Sequence, residues 1–263
     1  MFKKILTLFI ITISVLGLSA CGEKATDKTE KTGVAYGITH KEYVGVATVK
    51  VKAEKVTEAK FDEYYMPKDW AKVKVLQTEV PADVVADGAT WYGKYLVIGT
   101  KHFTGVLRVA PLVVDGVTYS NQKVKYSAEG IDDLYLYLRT SEANRKWYGE
   151  ELAAGNAFVA KADFTKSTYE TAGPLNSESK LGFTKSTTNY WKGANFPLGW
   201  AGNMAEIEKV LLGTKMDTTV DNITLNTDKK WVVGGVVSGA TNQDFKDYYT
   251  VAQTAYNKAL GSK

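Results

Sequence analysis

The sequence predicts an α+β fold in which a twisted antiparallel sheet packs against helices. Three patterns carry this expectation. Residues 43–53 and 56–64 alternate apolar and polar side chains, as in Val49-Lys50-Val51-Lys52 and Lys60-Phe61-Asp62, which reads as a β-hairpin with one face buried. Phe245, Tyr248, Tyr249, Ala252, Ala255, Tyr256 and Leu260 recur at helical spacing up to a terminating Gly261. Between these ends, short strand-like runs are separated by turn signals and by two helix-like segments.

The elements follow in chain order. Met1-Phe2-Lys3-Lys4, an apolar run from Ile5 to Leu18 and a small-residue exit are the parts of a signal peptide, residues 1–20. The apolar run is short for a membrane span. Leu18-Ser19-Ala20-Cys21 has the pattern of a bacterial lipoprotein signal. Cys21 is the only cysteine, and its expected use is a thioether to lipid that holds the chain on the outer face of the cell membrane. A lone cysteine excludes internal disulfides, iron–sulfur clusters and c-type haem. Residues 21–35 are expected to form a flexible tether, because 22–33 are polar, charged and without large apolar groups. A dozen extended residues reach roughly 40 Å.

Folded structure is expected from about Tyr36, in two subdomains, 36–140 and 141–263. After the first hairpin, Pro67 leads a short turn or helix through Asp69-Trp70-Ala71-Lys72-Val73. Residues 92–98 and 105–114 read as strands, with Pro111 marking an edge or a strand end. Asp115-Gly116 is a tight-turn signal. Ile131–Tyr137 and Glu142–Ala154 are expected helices, the second with Ser141 as N-cap and Gly155 as stop. Residues 161–196 are rich in Ser, Thr, Gly and Lys, with strand-like stretches and a small repeat, Phe164-Thr165-Lys166-Ser167-Thr168 and Phe183-Thr184-Lys185-Ser186-Thr187. Gly199-Trp200-Ala201-Gly202-Asn203-Met204 enters a helix over 205–212, ended by Gly213.

Composition removes several function classes. Without Lys3 and Lys4, the 33 basic and 29 acidic residues become 31 and 29, a net charge of +2. That balance gives no basis for nucleic-acid binding. His40 and His102 are the only histidines, so a histidine-rich metal site is not expected, and no G-x-S-x-G elbow is present. Six Trp and sixteen Tyr suit either flat ligands or a tyrosine-rich sheet surface.

The chemistry-bearing stretch is Ser238-Gly239-Ala240-Thr241, set between the strand-like run Trp231–Val237 and the last helix. A small-small-Thr turn ahead of a helix places a hydroxyl on an exposed elbow, where helix N-terminal amides favour an anion. This stretch, with the opening hairpin and the lipoprotein leader, resembles FMN-binding domains. These occur in the NqrC and RnfG subunits of membrane redox pumps and in extracellular electron transfer flavoproteins of Gram-positive bacteria. The resemblance implies FMN joined by a phosphoester to Thr241, installed by an ApbE-type transferase from FAD with a divalent metal. It further implies an electron relay from a membrane NADH dehydrogenase and quinone pool to extracellular acceptors such as ferric iron or soluble flavins. Ser238, Gly239 and Ala240 are the motif positions around that anchor, the small residues allowing close approach of the phosphate. Trp200, Trp231 and Tyr190 are candidates to line the ring, and Asn203 to hydrogen-bond its edge. Relatives with two flavins make Asp87-Gly88-Ala89-Thr90 a second candidate, with Thr90 as its anchor. The acid that the family carries three residues before the Ser is Gly235 here. The competing readings are a sugar- or peptide-binding surface lipoprotein and, more distantly, a hydrolase.

Overall fold

The computed structural model describes residues 28–75, 79–170, 184–187 and 190–262. The signal peptide and Cys21 lie outside the described residues. Antiparallel strands and helices form the expected α+β architecture. The first sheet has the order β1-β2-β3, with β1 at Lys31–Thr39, β2 at Tyr43–Lys52 and β3 at Lys55–Tyr64. Strand β1 begins inside the stretch expected to be tether, so residues 31–35 belong to the sheet. Their polar residues had masked an alternation in which Gly33, Ala35 and Gly37 share one face.

The hairpin of β2 and β3 turns through Ala53 and Glu54, at φ +51° and +62°. These are the signs a two-residue turn needs to match strand twist. A register shift at Lys50/Val51 changes the parity of β3, so Val56, Ala59 and Phe61 all reach the same core. Helix α5, Phe245–Leu260, lies across β1 and β2 and buries Phe245, Tyr248, Tyr249, Ala252 and Ala255. Helix α4, Gly199–Leu211, and the small sheet β13-β14-β15 (Thr224–Leu225, Trp231–Val233, Val236–Val237) complete this first core. The run 231–237 is thus a hairpin, not one strand. Gly234 and Gly235, at φ +55° and +83°, fold it back.

The second core joins two more sheets. One, of order β4-β6-β5, comprises Lys72–Val73, Thr90–Gly93 and Val84–Asp87. The other, of order β11-β8-β7-β12, comprises Val124–Ser127, Lys101–Leu107, Tyr95–Ile98 and Ala157–Ala160. Strands β9 (Leu112–Val114) and β10 (Val117–Tyr119) form a hairpin through Asp115-Gly116. Helices α1 (Pro67–Trp70), α2 (Leu134–Thr140) and α3 (Glu142–Ala153) pack with these sheets. Helix α2 starts three residues later than its apolar pattern suggests, because the Asp133 carboxylate caps the amides of Tyr135 and Leu136. Ser141 caps α3 as expected. In the described part of 161–196 only isolated bridges form, and most of the second copy of the small repeat docks through Thr184 onto Tyr64.

The two cores do not divide the chain at 140/141. The first is built from residues 35–61 and 200–259, the second from 43–44 and 64–159. The C-terminal helix returns to the N-terminal sheet, so neither expected subdomain owns a core. The seam between them holds a buried ion pair, Lys185 to Glu63 at 2.7 Å, with side chains 3% and 0% exposed. The Lys185 ammonium sits 3.6 Å from the Tyr43 ring centre and 4.4 Å from that of Tyr190. Burial, then the neighbouring Asp69 carboxylate, drives the Tyr43 hydroxyl far above its ordinary range.

Two stability outcomes follow. A β-carbon at position 33 would lie 1.9 Å from the Ala255 carbonyl oxygen and 2.7 Å from the Ala259 amide nitrogen. Gly33→Ala should therefore cost about 1–3 kcal/mol in urea unfolding; an unchanged midpoint would show that α5 is not held this close. Lys185→Met should cost about 3–5 kcal/mol by stranding the Glu63 charge, and adding Glu63→Gln should restore most of it. A double variant no more stable than the single one would refute the buried pair.

Candidate functional site

Helix α4 carries the site through one stripe. Trp200, Asn203, Met204 and Ile207 share its buried face, so Asn203 is a polar residue facing the core at 2% exposure. A buried amide needs partners. Its Nδ2 donates to the Gly199 carbonyl at 2.6 Å, one turn back. Its Oδ1 accepts from the Thr241 amide at 2.6 Å, the Asn242 amide at 3.1 Å and the Thr241 hydroxyl at 3.3 Å. One side-chain oxygen thus gathers three donors of the Ser238–Asn242 turn.

Each motif residue has a distinct place. Ser238, buried, bonds its hydroxyl to the Glu206 carbonyl at 3.3 Å and accepts the Ala240 amide at 3.1 Å. At Gly239 an added β-carbon would lie 2.2 Å from Glu206 Oε2, so the missing side chain makes room for that carboxylate. Ala240 is fully buried in the first core. Gly239 and Ala240, expected to leave room for a phosphate, are used in the fold for packing against α4 and in the first core. Thr241 alone of the four is exposed. The Trp231 indole donates to the Asn242 carbonyl at 2.8 Å and stacks on Phe245, which fixes the far side of the turn.

The turn bearing Thr241 is not the first turn of the helix. Helix α5 begins at Phe245, four residues past Thr241; Asp244 stands at its N-cap without a capping bond, and Asp247 lies in its first turn. The cations beside the turn are Lys230, whose ammonium lies 3.5 Å from the Gly239 carbonyl, and Lys209, paired with Glu206. Trp200 is 6% exposed, with its indole N–H given to the Tyr248 hydroxyl at 3.3 Å. Tyr190 belongs to the seam, its hydroxyl 3.4 Å from that of Tyr43. Asn203 spends its amide on the turn. A flat ring would therefore meet Trp231 and the exposed Val236 and Val237 rather than Trp200. Thr90 opens β6 opposite Asp87 in a tight hairpin, with a strand and not a helix after it. Among the described residues no cluster of His, Cys, Asp and Glu is arranged to hold a metal ion.

Sequence reasoning missed Glu206, Lys209, Lys230 and the clamp at the other end of the loop. There the His40 ring bonds the Asp244 carboxylate, and Asp247 accepts the His40 and Lys41 amides. A signal for Asn203 did exist: an amide between Trp200, Met204 and Ile207 at helical spacing has to be bonded inside the protein. Comparison with protein-family models, with curated proteins and with solved structures finds no match to this chain.

The clamp has a pH signature. The hydrogen bond to Asp244 is the largest cause raising His40 above its ordinary 6.5, with burial opposing it. A raised folded-state value means the stabilisation is full below pH 6.5 and fades as pH rises through that raised value. The ring is half exposed, so the effect should be at most about 1 kcal/mol. Melting curves of the wild type should lose this increment on going from about pH 5 to 9, while His40→Ala should lack it. Parallel pH profiles would exclude the clamp.

Proposed function

We propose that this chain is a lipid-anchored flavoprotein on the outer face of the cell membrane, carrying FMN on Thr241. The observation that supports the reading most is the state of that residue: an exposed threonine on a turn that Ser238, Asn242 and Thr241 itself bond to α4. An acceptor for a bulky phosphoryl group has to be reachable and held, and Thr241 is both. Bound FMN supplies reversible electron transfer; the protein supplies position and electrostatics. Lys230 and Lys209 would offset the phosphate charge, while Trp231, Val236 and Val237 offer apolar surface to the ring. An ApbE-type transferase is the partner that installs the group. A membrane NADH dehydrogenase and quinone pool is the electron source, and extracellular ferric iron or flavins are the acceptors. Cys21 is the anchor that keeps the domain beside that source. The hairpin at Thr90 lacks these supports, so one flavin is the expected load.

A second reading has its own observation. Trp191 and Phe196 stack with centroids 4.5 Å apart and are 44% and 47% exposed, a flat surface suited to a sugar ring. Bound flavin separates the two readings. Chain co-expressed with the transferase, then unfolded and weighed intact, should be heavier by one FMN. Thr241→Val should remove that increment entirely, and Thr241→Ser should keep it. An unshifted wild-type mass would overturn the covalent reading, and a colourless native protein would favour the sugar-binding surface.

A further inference from the structure

The fastening of Thr241 is unevenly shared. The side chain of Asn242, 7% exposed, has neither its Nδ2 nor its Oδ1 hydrogen-bonded. That buried amide opposes the closed turn, at a cost of about 1–3 kcal/mol for each unmet group. Trp231 grips only the Asn242 carbonyl. Ser238 grips the start of the turn. At Thr241 itself, the amide and the hydroxyl both end on Asn203 Oδ1.

We infer that Asn203 is the positioning residue for modification of Thr241, an inference that rests on the flavin reading above. The bond to Oδ1 directs the Thr241 O–H into the protein. The hydroxyl lone pairs then face outward, where a phosphorus electrophile has to arrive. In the reaction, Thr241 Oγ1 forms a bond to the FMN phosphorus of FAD. The bond from that phosphorus to the AMP oxygen breaks, AMP leaves, and the hydroxyl turns its proton from Asn203 Oδ1 to a base of the transferase while Oγ1 stays in place. Asn203 does not reach the reacting phosphorus; its contact is with the nucleophile, Thr241 Oγ1, and with the amide of the same residue. It acts by holding the nucleophile in one rotamer on a turn that Asn242 would otherwise loosen, and orientation of this kind carries large rate factors.

The test uses full-length chain with the transferase, FAD and Mg2+, sampled over time for FMN mass increments after denaturation. Asn203→Ala should label at least about tenfold more slowly than wild type. Asn203→Asp keeps an oxygen acceptor for the three donors but loses the bond to the Gly199 carbonyl, and should label faster than Asn203→Ala. Hydrogen exchange gives a readout free of flavin: in Asn203→Ala the amides of Thr241 and Asn242 should lose protection while the interior of α5 keeps it. Wild-type labelling of Asn203→Ala, or unchanged exchange at those two amides, would overturn the inference. If Asn203→Ala does not fold, the aspartate variant decides alone. A folded Asn203→Asp that fails to label a competent wild-type system overturns it. Absence of label in every chain, wild type included, instead overturns the flavin reading, and with it the role of Asn203 in labelling.

Discussion

The carbonyl of Ala255 occupies the place where any residue but glycine would put a β-carbon at position 33. That contact sets the distance between α5 and the first sheet. With the helix pressed onto β1 and β2, its start is fixed beside the β1–β2 turn, where Asp244 and Asp247 meet His40 and Lys41. The loop before the helix then has both ends determined, one by α5 and one by the β14–β15 hairpin. Ala240 drops into the core beneath it, and Thr241 is left outside.

The same packing explains why a charged pair lies in the middle of the molecule. Strand β3 ends where the two cores meet, and Glu63 there has no route to solvent. Lys185 reaches it from a different part of the chain, its own amide bonded to the Glu63 carbonyl at 2.9 Å. Tyr43 and Tyr190 cover the ammonium with their ring faces. Such a pair adds little net stability compared with apolar residues of the same size. It does join the end of β3 to the loop that carries Lys185, through the side chains and through the Lys185 amide.

The motif around Thr241 follows from steric and hydrogen-bonding needs of α4. Gly239 yields to Glu206, Ser238 closes its own turn, and Ala240 packs. Gly235, three residues before Ser238, sits at φ +83° in the hairpin turn where a side chain would be strained.

The periodic elements were legible in the sequence. Alternation over 43–64 and the stripe over 245–260 name a hairpin and a helix, since side-chain direction in each is set by local backbone geometry. The caps at Ser141 and Gly155 were legible for the same reason. The exposed threonine before a helix was legible as a motif. Its surroundings were not. Gly33 read as tether, because close approach to a helix over two hundred residues away leaves no local trace. The division into cores was misread because α5 returns to β1. Asn203 was visible as a residue, but its three donors lie in a loop 38 and 39 positions later. Local periodicity decided which segments are strands and helices; only the tertiary structure decided which polar group meets which, since a buried hydrogen bond depends on partners that sequence distance does not reveal.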